Sequence, residues 1–223
     1  TPKRQPEIAR LIGEAYYRTG KYELSIPYLE RYNNSSAQAV SATSQYQMAY
    51  AYYQVGNFEK AIPHFVAVSQ DTNEMAQSAN YHLAICYVNQ DKKNYALNAF
   101  KEAYQIDVDP NITADALYNF AKLSYELDYN PYNQAVKAFE KYVVEYPNSI
   151  HRKEAMTYLT KMYLSTNNFS QALESIDKIQ DKSPELLLAY QRILYSRGVQ
   201  LFNINNYQEA IVFFDRSLKV NKD

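Results

Sequence analysis

The residues of this chain that could carry out chemistry are few and scattered. The three histidines are His64, His82 and His151, and none has a second histidine four residues away, so no helical pair of zinc ligands forms. Cys86 is the single cysteine. It cannot close an intramolecular disulfide, it leaves the redox compartment open, and it falls on an apolar helical stripe where a small hydrophobe is expected rather than a nucleophile. The run Asp107-Val108-Asp109-Pro110-Asn111-Ile112-Thr113-Ala114-Asp115 has the oxygen spacing of a calcium loop. It lacks the glycine that makes the sharp turn, where Ile112 stands, and the bidentate glutamate, where Tyr118 stands. It reads instead as a connection followed by a helix capped from Thr113. There is no Gly-rich phosphate loop, Gly-x-Ser-x-Gly turn or Cys-x-x-Cys pair. The glycosylation sequons at Asn33, Asn34, Asn111 and Asn168 matter only in a secreted eukaryotic chain. No catalytic residue, metal or cofactor is assigned, and the chain is not expected to be an enzyme.

What stands out is tyrosine, 24 residues of 223, beside 9 phenylalanines and no tryptophan. Tyrosine offers a large contact area, few rotamers to freeze and one hydroxyl, which is the chemistry of recognition rather than turnover. The formal net charge of -1, with no basic stripe along the chain, argues against nucleic acid as a partner. Hydrophobic residues at 47% exclude disorder as the main state. Only 4 glycines are present, too few for tight-turned sheets or phosphate loops. No apolar run is long enough to span a membrane, and Thr1 to Glu7 lacks the apolar core of a signal peptide. The absence of an initial methionine reads as an excised fragment or a processed form.

The elements that must position these tyrosines follow from an internal repeat. Gly13, Ala49, Ala84, Ala121, Thr160 and Gly198 recur every 35 to 39 residues. A second small residue follows each: Ser25, Ala61, Ala96, Ala135, Ala172 and Ala210. Four residues later stands a large apolar one: Leu29, Phe65, Phe100, Phe139, Ile176 and Phe214. Apolar and small residues recur at three and four within each copy, which is one face of an α-helix. Each copy is therefore a helical hairpin, turning at Thr19-Gly20-Lys21 in the first and Val55-Gly56-Asn57 in the second. The small residues mark where two helices cross closely, and the large residue fills the gap toward the next copy. Such a hairpin cannot bury its apolar face alone, so the copies must stack. With second helices starting near Glu23 and Glu59, Pro27 and Pro63 are expected in a first turn, where a missing amide costs nothing. Pro110, Pro147 and Pro184 are expected between copies, and Pro131 in the widened turn Asp128 to Asn133.

Copy two, Tyr46-Gln-Met-Ala-Tyr-Ala-Tyr-Tyr-Gln-Val-Gly-Asn-Phe-Glu-Lys-Ala-Ile-Pro-His-Phe, resembles the tetratricopeptide repeat at its small, aromatic and turn positions. The resemblance covers about residues 6 to 219. It departs at Ser124, where tyrosine is usual, at Thr160, and in the long first helix of copy six. It implies an all-α, right-handed superhelical solenoid of six helix-turn-helix repeats, at about 6–39, 42–75, 77–110, 114–149, 153–186 and 187–223, forming one domain over 1–223. First helices would line a concave groove. The connection Glu145-Tyr146-Pro147-Asn148-Ser149, followed by Glu154-Ala155, is similar to repeats in bacterial envelope proteins, such as outer-membrane assembly lipoproteins and the Tol-associated periplasmic coordinator. That likeness favours a periplasmic location over a cytoplasmic one.

The family's chaperone-binding members grip a C-terminal carboxylate with lysine, arginine and asparagine. The corresponding places here hold Arg10, Glu14, Gln47, Ser78 and His82. Glu14 would repel a carboxylate, so that clamp is rejected. The asparagine ladder of the sugar-transferase members has only Asn119 in place. The inward residues expected to hold a partner protein or peptide are Arg10, Tyr17, Tyr46, Tyr50, Tyr53, Tyr81, Tyr118, Lys122, Tyr125 and Tyr195. Copies two and three contribute no charge to this surface. A rival reading is self-assembly. Copy six carries Ile211, Val212, Phe213, Phe214 and Leu218 without the polar face a terminal repeat needs, so either more chain or a homo-oligomeric partner would cover it. A second rival is an accessory module of a larger enzyme or sensor.

Overall fold

The structure, a computed structural model, describes residues 4–35, 40–127 and 134–220. The regular secondary structure among the described residues is all helical, with no strand. The helices are α1 (Gln5–Arg18), α2 (Tyr22–Ser35), α3 (Ala42–Gln54), α4 (Phe58–Val66), α5 (Glu74–Asn89), α6 (Lys93–Ile106), α7 (Pro110–Leu127), α8 (Gln134–Glu145), α9 (Arg152–Ser165), α10 (Phe169–Lys178), α11 (Pro184–Asn203) and α12 (Tyr207–Lys219). Odd-numbered helices are the first and even-numbered the second of each hairpin. By contacts the chain forms two compact units, residues 1–120 and 121–223.

Local chemistry sets the helix boundaries. The side chains of Ser41, Asn57, Asn73, Asn168 and Ser183 each accept a hydrogen bond from a first-turn amide, satisfying a donor the helix leaves orphaned. In four of the hairpins the chain reverses between the paired helices through a left-handed residue. Gly20 and Gly56 sit at φ 72° and 76°, and Asp91 and Asn205 take the same place at 55° and 61°. Glycine meets this demand without strain, and Asp and Asn tolerate it.

The expected proline positions need correction. Lys21 and Asn57 carbonyls accept the first intrahelical bonds, from Ser25 and Ala61, so α2 and α4 begin at Tyr22 and Phe58, directly after the turn. Pro27 and Pro63 consequently lie inside their helices, past the first turn. Both are exposed, as are Glu23 and Glu59, whose carbonyls lose the proline amide and can bond water instead. Pro110 and Pro184 open α7 and α11 as first helical residues rather than lying between copies. Pro131 lies outside the described residues. The calcium-like run is corrected too. The cap of α7 is Asp109, whose Oδ1 accepts the Asn111 amide at 2.8 Å, while Thr113 is buried within the helix.

The repeat register is the packing register. The six first small residues and the six second small residues are all buried. A Cβ on Gly13 would stand 2.9 Å from the Leu29 side chain, and one on Gly198 2.6 Å from the Phe214 ring. Ser25 crosses the same gap and donates its hydroxyl to the Gly13 carbonyl at 2.9 Å. Leu29, Phe65, Phe100, Phe139 and Ile176 are buried, each at or below 3% exposure. Phe214 is half-buried.

In unit 1, α1 packs on α2, α3 on α4 and α5 on α6. Neighbouring hairpins meet through α2 against α3 and α4 against α5, and the first helices α1, α3 and α5 also touch in series. Tyr52 donates its hydroxyl to the Glu30 carboxylate across the first of these junctions, which holds that carboxyl below its usual range, with Lys60 at 3.3 Å adding to the effect. Gln77, fully buried on α5, is the main polar tie of the unit. Its Nε2 donates to the carbonyls of Ala103 at 3.2 Å and Asp109 at 3.3 Å and to Thr113 Oγ1 at 2.9 Å. Its Oε1 accepts the amides of Val108 at 3.2 Å and Asp109 at 2.6 Å. One side chain thereby fixes α5, the end of α6 and the start of α7.

In unit 2, α8 packs on α9, α10 on α11, α11 on α12, and the first helices α9 and α11 touch. The Tyr52–Glu30 contact has a register equivalent here, Tyr163 donating to Glu140 at 2.7 Å. Gln191 repeats part of the Gln77 pattern, donating to the Ser217 carbonyl at 3.1 Å. No helix among the described residues is long and apolar enough to cross a membrane.

Candidate functional site: an aromatic wall on unit 1

Because α1, α3 and α5 lie side by side, residues on their shared face form one surface. Helix α3, Ala42–Gln54, contains no charged residue, and its tyrosines at positions 46, 50 and 53 follow helical spacing. Tyr50 is the hub. Its ring stands 6.0 Å from Tyr17, 5.7 Å from Tyr22, 6.0 Å from Tyr46 and 5.9 Å from Tyr53. His82 of α5 meets Tyr50 at 5.1 Å, Tyr53 at 4.9 Å and Tyr81 at 5.6 Å, edge to face. All of these rings are half-buried. Beneath them lie the gap-filling side chains of the second helices. Phe65 stacks on His82 at 5.7 Å and meets Tyr46 at 5.9 Å, and Phe100 meets Tyr81 at 5.9 Å.

Two wall hydroxyls are engaged, Tyr46 with Ser78 Oγ at 2.6 Å and Tyr81 donating to Asp115 at 3.2 Å. Those of Tyr17, Tyr22, Tyr50 and Tyr53 make no hydrogen bond among the described residues. Burial raises the titration of Tyr17, Tyr46 and Tyr53, and pushes Tyr81 up to about 12 with help from Asp115. The hydroxyls therefore stay protonated as donors.

Burial lowers the pKa of His82 below the usual imidazole value, against a hydrogen bond with the Ser78 carbonyl that raises it. Its Nδ1 lies 2.7 Å from that carbonyl, which places the proton on Nδ1. Burial likewise lowers His64. A histidine depressed in the folded state takes up its proton first in the unfolded chain. Stability is then complete above the ordinary value near 6.5 and declines as pH falls through it toward the folded pKa. The urea midpoint of unit 1 is expected to drop between pH 7.5 and pH 5.5, and His82→Phe, which can still stack on Phe65, is expected to flatten that drop. An equal slope in the variant would place the dependence elsewhere.

The residues expected to hold a partner divide into four groups. Tyr17, Tyr46, Tyr50, Tyr53 and Tyr81 come together in the wall. Arg10 lies on α1, engaged by Glu7 at 2.7 Å and Glu14 at 3.0 Å, and Arg18 also reaches Glu14, at 2.6 Å. Lys122 and Tyr125 of α7 and Tyr195 of α11 belong to unit 2. There Lys122 approaches Glu154 at 3.4 Å, Tyr125 packs on Tyr158 at 5.0 Å, and Tyr195 is 58% exposed. Tyr118 is a correction, being only 4% exposed. Ala116, Leu117 and Tyr118 are all buried, and three consecutive helical positions span about 200°, so the side of α7 that carries Tyr118 is covered. Sequence reading missed Tyr22 and His82. Tyr22 had a signal, since an aromatic residue opens the second helix at Tyr22, Phe58, Phe169 and Tyr207. Three of these pack on an aromatic five residues earlier: Tyr17–Tyr22, Tyr53–Phe58 and Phe202–Tyr207.

Unit 2 has a cleft of about 770 Å³ lined by Arg152, Lys153, Met156, Asp181, Ser183 and Glu185. Its mixed charges select no ligand. No group of three or more His, Cys, Asp or Glu among the described residues could hold a metal ion.

Two tetratricopeptide repeat family models match the chain, one over residues 46–109 and one over 115–149. No curated protein sequence matches it. Among solved structures it is similar to the MamA protein, at 16% identity and a TM-score of 0.52, covering 97% of this chain and 92% of that one. A tetratricopeptide repeat protein from Parabacteroides merdae ATCC 43184 aligns at 15% identity and a TM-score of 0.49, over 98% of this chain and 79% of that one. The apo form of RapI aligns at 13% and 0.49, over 97% and 83%.

Proposed function

Since the chain is a tetratricopeptide repeat protein, whose kind mediates protein–protein interaction, we propose that it is a non-catalytic scaffold binding an extended peptide segment of a partner protein on the aromatic wall of unit 1. The observation that carries this reading is the set of four hydroxyls, on Tyr17, Tyr22, Tyr50 and Tyr53, left without hydrogen bonds on a continuous aromatic surface. A folding core satisfies its polar atoms, whereas a recognition surface leaves donors for its ligand. Half-buried rings on a packed floor lose little side-chain entropy on binding. The donors suit main-chain carbonyls of an extended segment, and the uncharged centre on α3 disfavours a highly charged one.

Peptides selected from a random display library on the intact chain provide the test. Tyr50→Ala combined with Tyr53→Ala is expected to weaken their binding by roughly 30-fold or more, the loss typical of a central aromatic anchor. Changing Tyr17, Tyr22, Tyr50 and Tyr53 together to Phe keeps the rings and isolates the hydroxyls. Tyr195→Ala, in unit 2, is the control that retains binding. Peptides that bind the alanine variant as well as the parent would end the proposal.

A further inference from the structure

Charge is segregated between the two kinds of helix in unit 1. Helix α1 carries Glu7, Arg10, Glu14 and Arg18, which pair among themselves and cancel. The first helices that follow hold no lysine or arginine within the unit. Helix α3 has no charged residue, α5 has Glu74 alone beside the imidazole of His82, and α7 up to residue 120 has Asp115 alone. The lysines of the same stretch, Lys60, Lys92, Lys93 and Lys101, sit on α4, on α6 or in the turn before α6. The first helices therefore pass from neutral on α1 and α3 to two negative charges and no positive one on α5 and α7.

Both carboxylates stand at tyrosines of the wall. Ser78 and Asp115 share one register, six residues before the small residues Ala84 and Ala121. Each meets a tyrosine of the preceding first helix, Ser78 with Tyr46 at 2.6 Å and Asp115 with Tyr81 at 3.2 Å. Where one repeat closes a neutral pair, the next places a full negative charge. Asp115 is half-buried, and one neutral donor leaves most of the acceptor sites of its carboxylate unspent. Glu74, exposed in the first turn of α5, is near enough to Tyr46 to add to the rise in its titration. Neither carboxylate makes an ion pair among the described residues.

We propose that the segment held by the wall carries a lysine or arginine whose cation ends at Asp115, within the field of Glu74, while its uncharged part lies over α3. The inference rests on the reading of the wall as a peptide site, and it adds the chemistry and the direction of the occupant. A cation there gains a charge-assisted hydrogen bond to a half-buried carboxylate and the attraction of the tyrosine faces around it. An acidic segment would meet repulsion at the same edge, so the two carboxylates select as well as attract. The polarity is opposite to that of a site for a C-terminal carboxylate.

Display selection on the intact chain, run in parallel on the parent and on Asp115→Asn combined with Glu74→Gln, tests it. Peptides selected on the parent are expected to be enriched in lysine or arginine over the library, and those selected on the variant are not. In one parent-selected peptide, replacing the basic residue by norleucine for lysine, or citrulline for arginine, is expected to weaken binding about tenfold, the loss for a hydrogen bond to a charged group. Asp115→Asn, which keeps an acceptor for the Tyr81 hydroxyl, is expected to weaken the unmodified peptide by a similar factor, and the two changes together to lose little more than either alone. Three results overturn the inference and leave the wall standing: no enrichment on the parent, no loss on replacing the basic residue, or equal loss of the modified and unmodified peptides on Asp115→Asn. Binding that survives Tyr50→Ala with Tyr53→Ala removes the wall itself, and the inference with it. The peptide replacements leave the protein untouched, so they decide the matter even where the urea midpoint shows Asp115→Asn to be poorly folded.

Discussion

Gln77→Leu is expected to destabilise unit 1 by roughly 2 to 4 kcal/mol, read as a lower urea midpoint of that unit's transition. The side chain is fully buried and its amide makes five hydrogen bonds. Leucine keeps the volume but strips partners from the amides of Val108 and Asp109 in the turn that joins α6 to α7. A buried donor left unpaired loses its hydration without recompense, and that asymmetry, rather than the modest net worth of each bond, sets the size of the effect. Gln77→Glu provides the sharper comparison. A carboxylate could still accept from the two amides, but its second oxygen would face the carbonyls of Ala103 and Asp109. It is expected to be no more stable than leucine near neutral pH. A midpoint unchanged in both variants would mean that the α6–α7 connection finds its partners elsewhere.

Phe65→Ala is expected to cost about 3 to 5 kcal/mol, the range for deleting a buried aromatic side chain. Phe65 has no exposed surface, and its ring supports Tyr46, Tyr53 and His82 from below. The cavity would open under the wall, so its rings would lose the packing that orients them. Two measurements separate the consequences. The urea midpoint reports the lost packing, and the near-ultraviolet dichroism of the tyrosines reports their loss of order. Phe65→Leu, which refills most of the volume, is expected to recover more of the stability than of the dichroic signal. Equal recovery of both would mean that the floor does not orient the rings.

The hairpin register was legible in the sequence because it answers to one steric rule. Where two helices cross closely the residue must be small, and the residue that fills the next gap must be large. Gly13 against Leu29 and Gly198 against Phe214 show the rule at its tightest. Tyr50 and its neighbours were legible as a group because helical spacing alone puts positions 46, 50 and 53 on one face. Tyr118 was misplaced by the same logic, since periodicity assigns a residue to a side of its helix without saying whether that side is open. His82 was considered only as a metal ligand and as a member of a carboxylate clamp, and its position at the centre of the rings depends on how α3 and α5 approach. Gln77 gave no periodic signal of its own. Only its shared register with Gln191, seven residues before the repeat's first small residue, could have pointed to it. Pro27 and Pro63 were put in a first turn because the helix start was assigned by composition, whereas the backbone starts it two residues after the left-handed turn glycine.

The setting of Cys86 has a practical consequence. Its side chain is fully buried on α5 and burial pushes its thiol up to about 12, so in the closed state it is neither accessible nor appreciably ionised, and alkylating reagents need a thiolate. With no other sulfhydryl in the sequence, each alkylation event counts one opening of α5. The chain thus carries an intrinsic clock for breathing of its first unit, and a cysteine introduced on its surface could be dye-labelled without removing the native one.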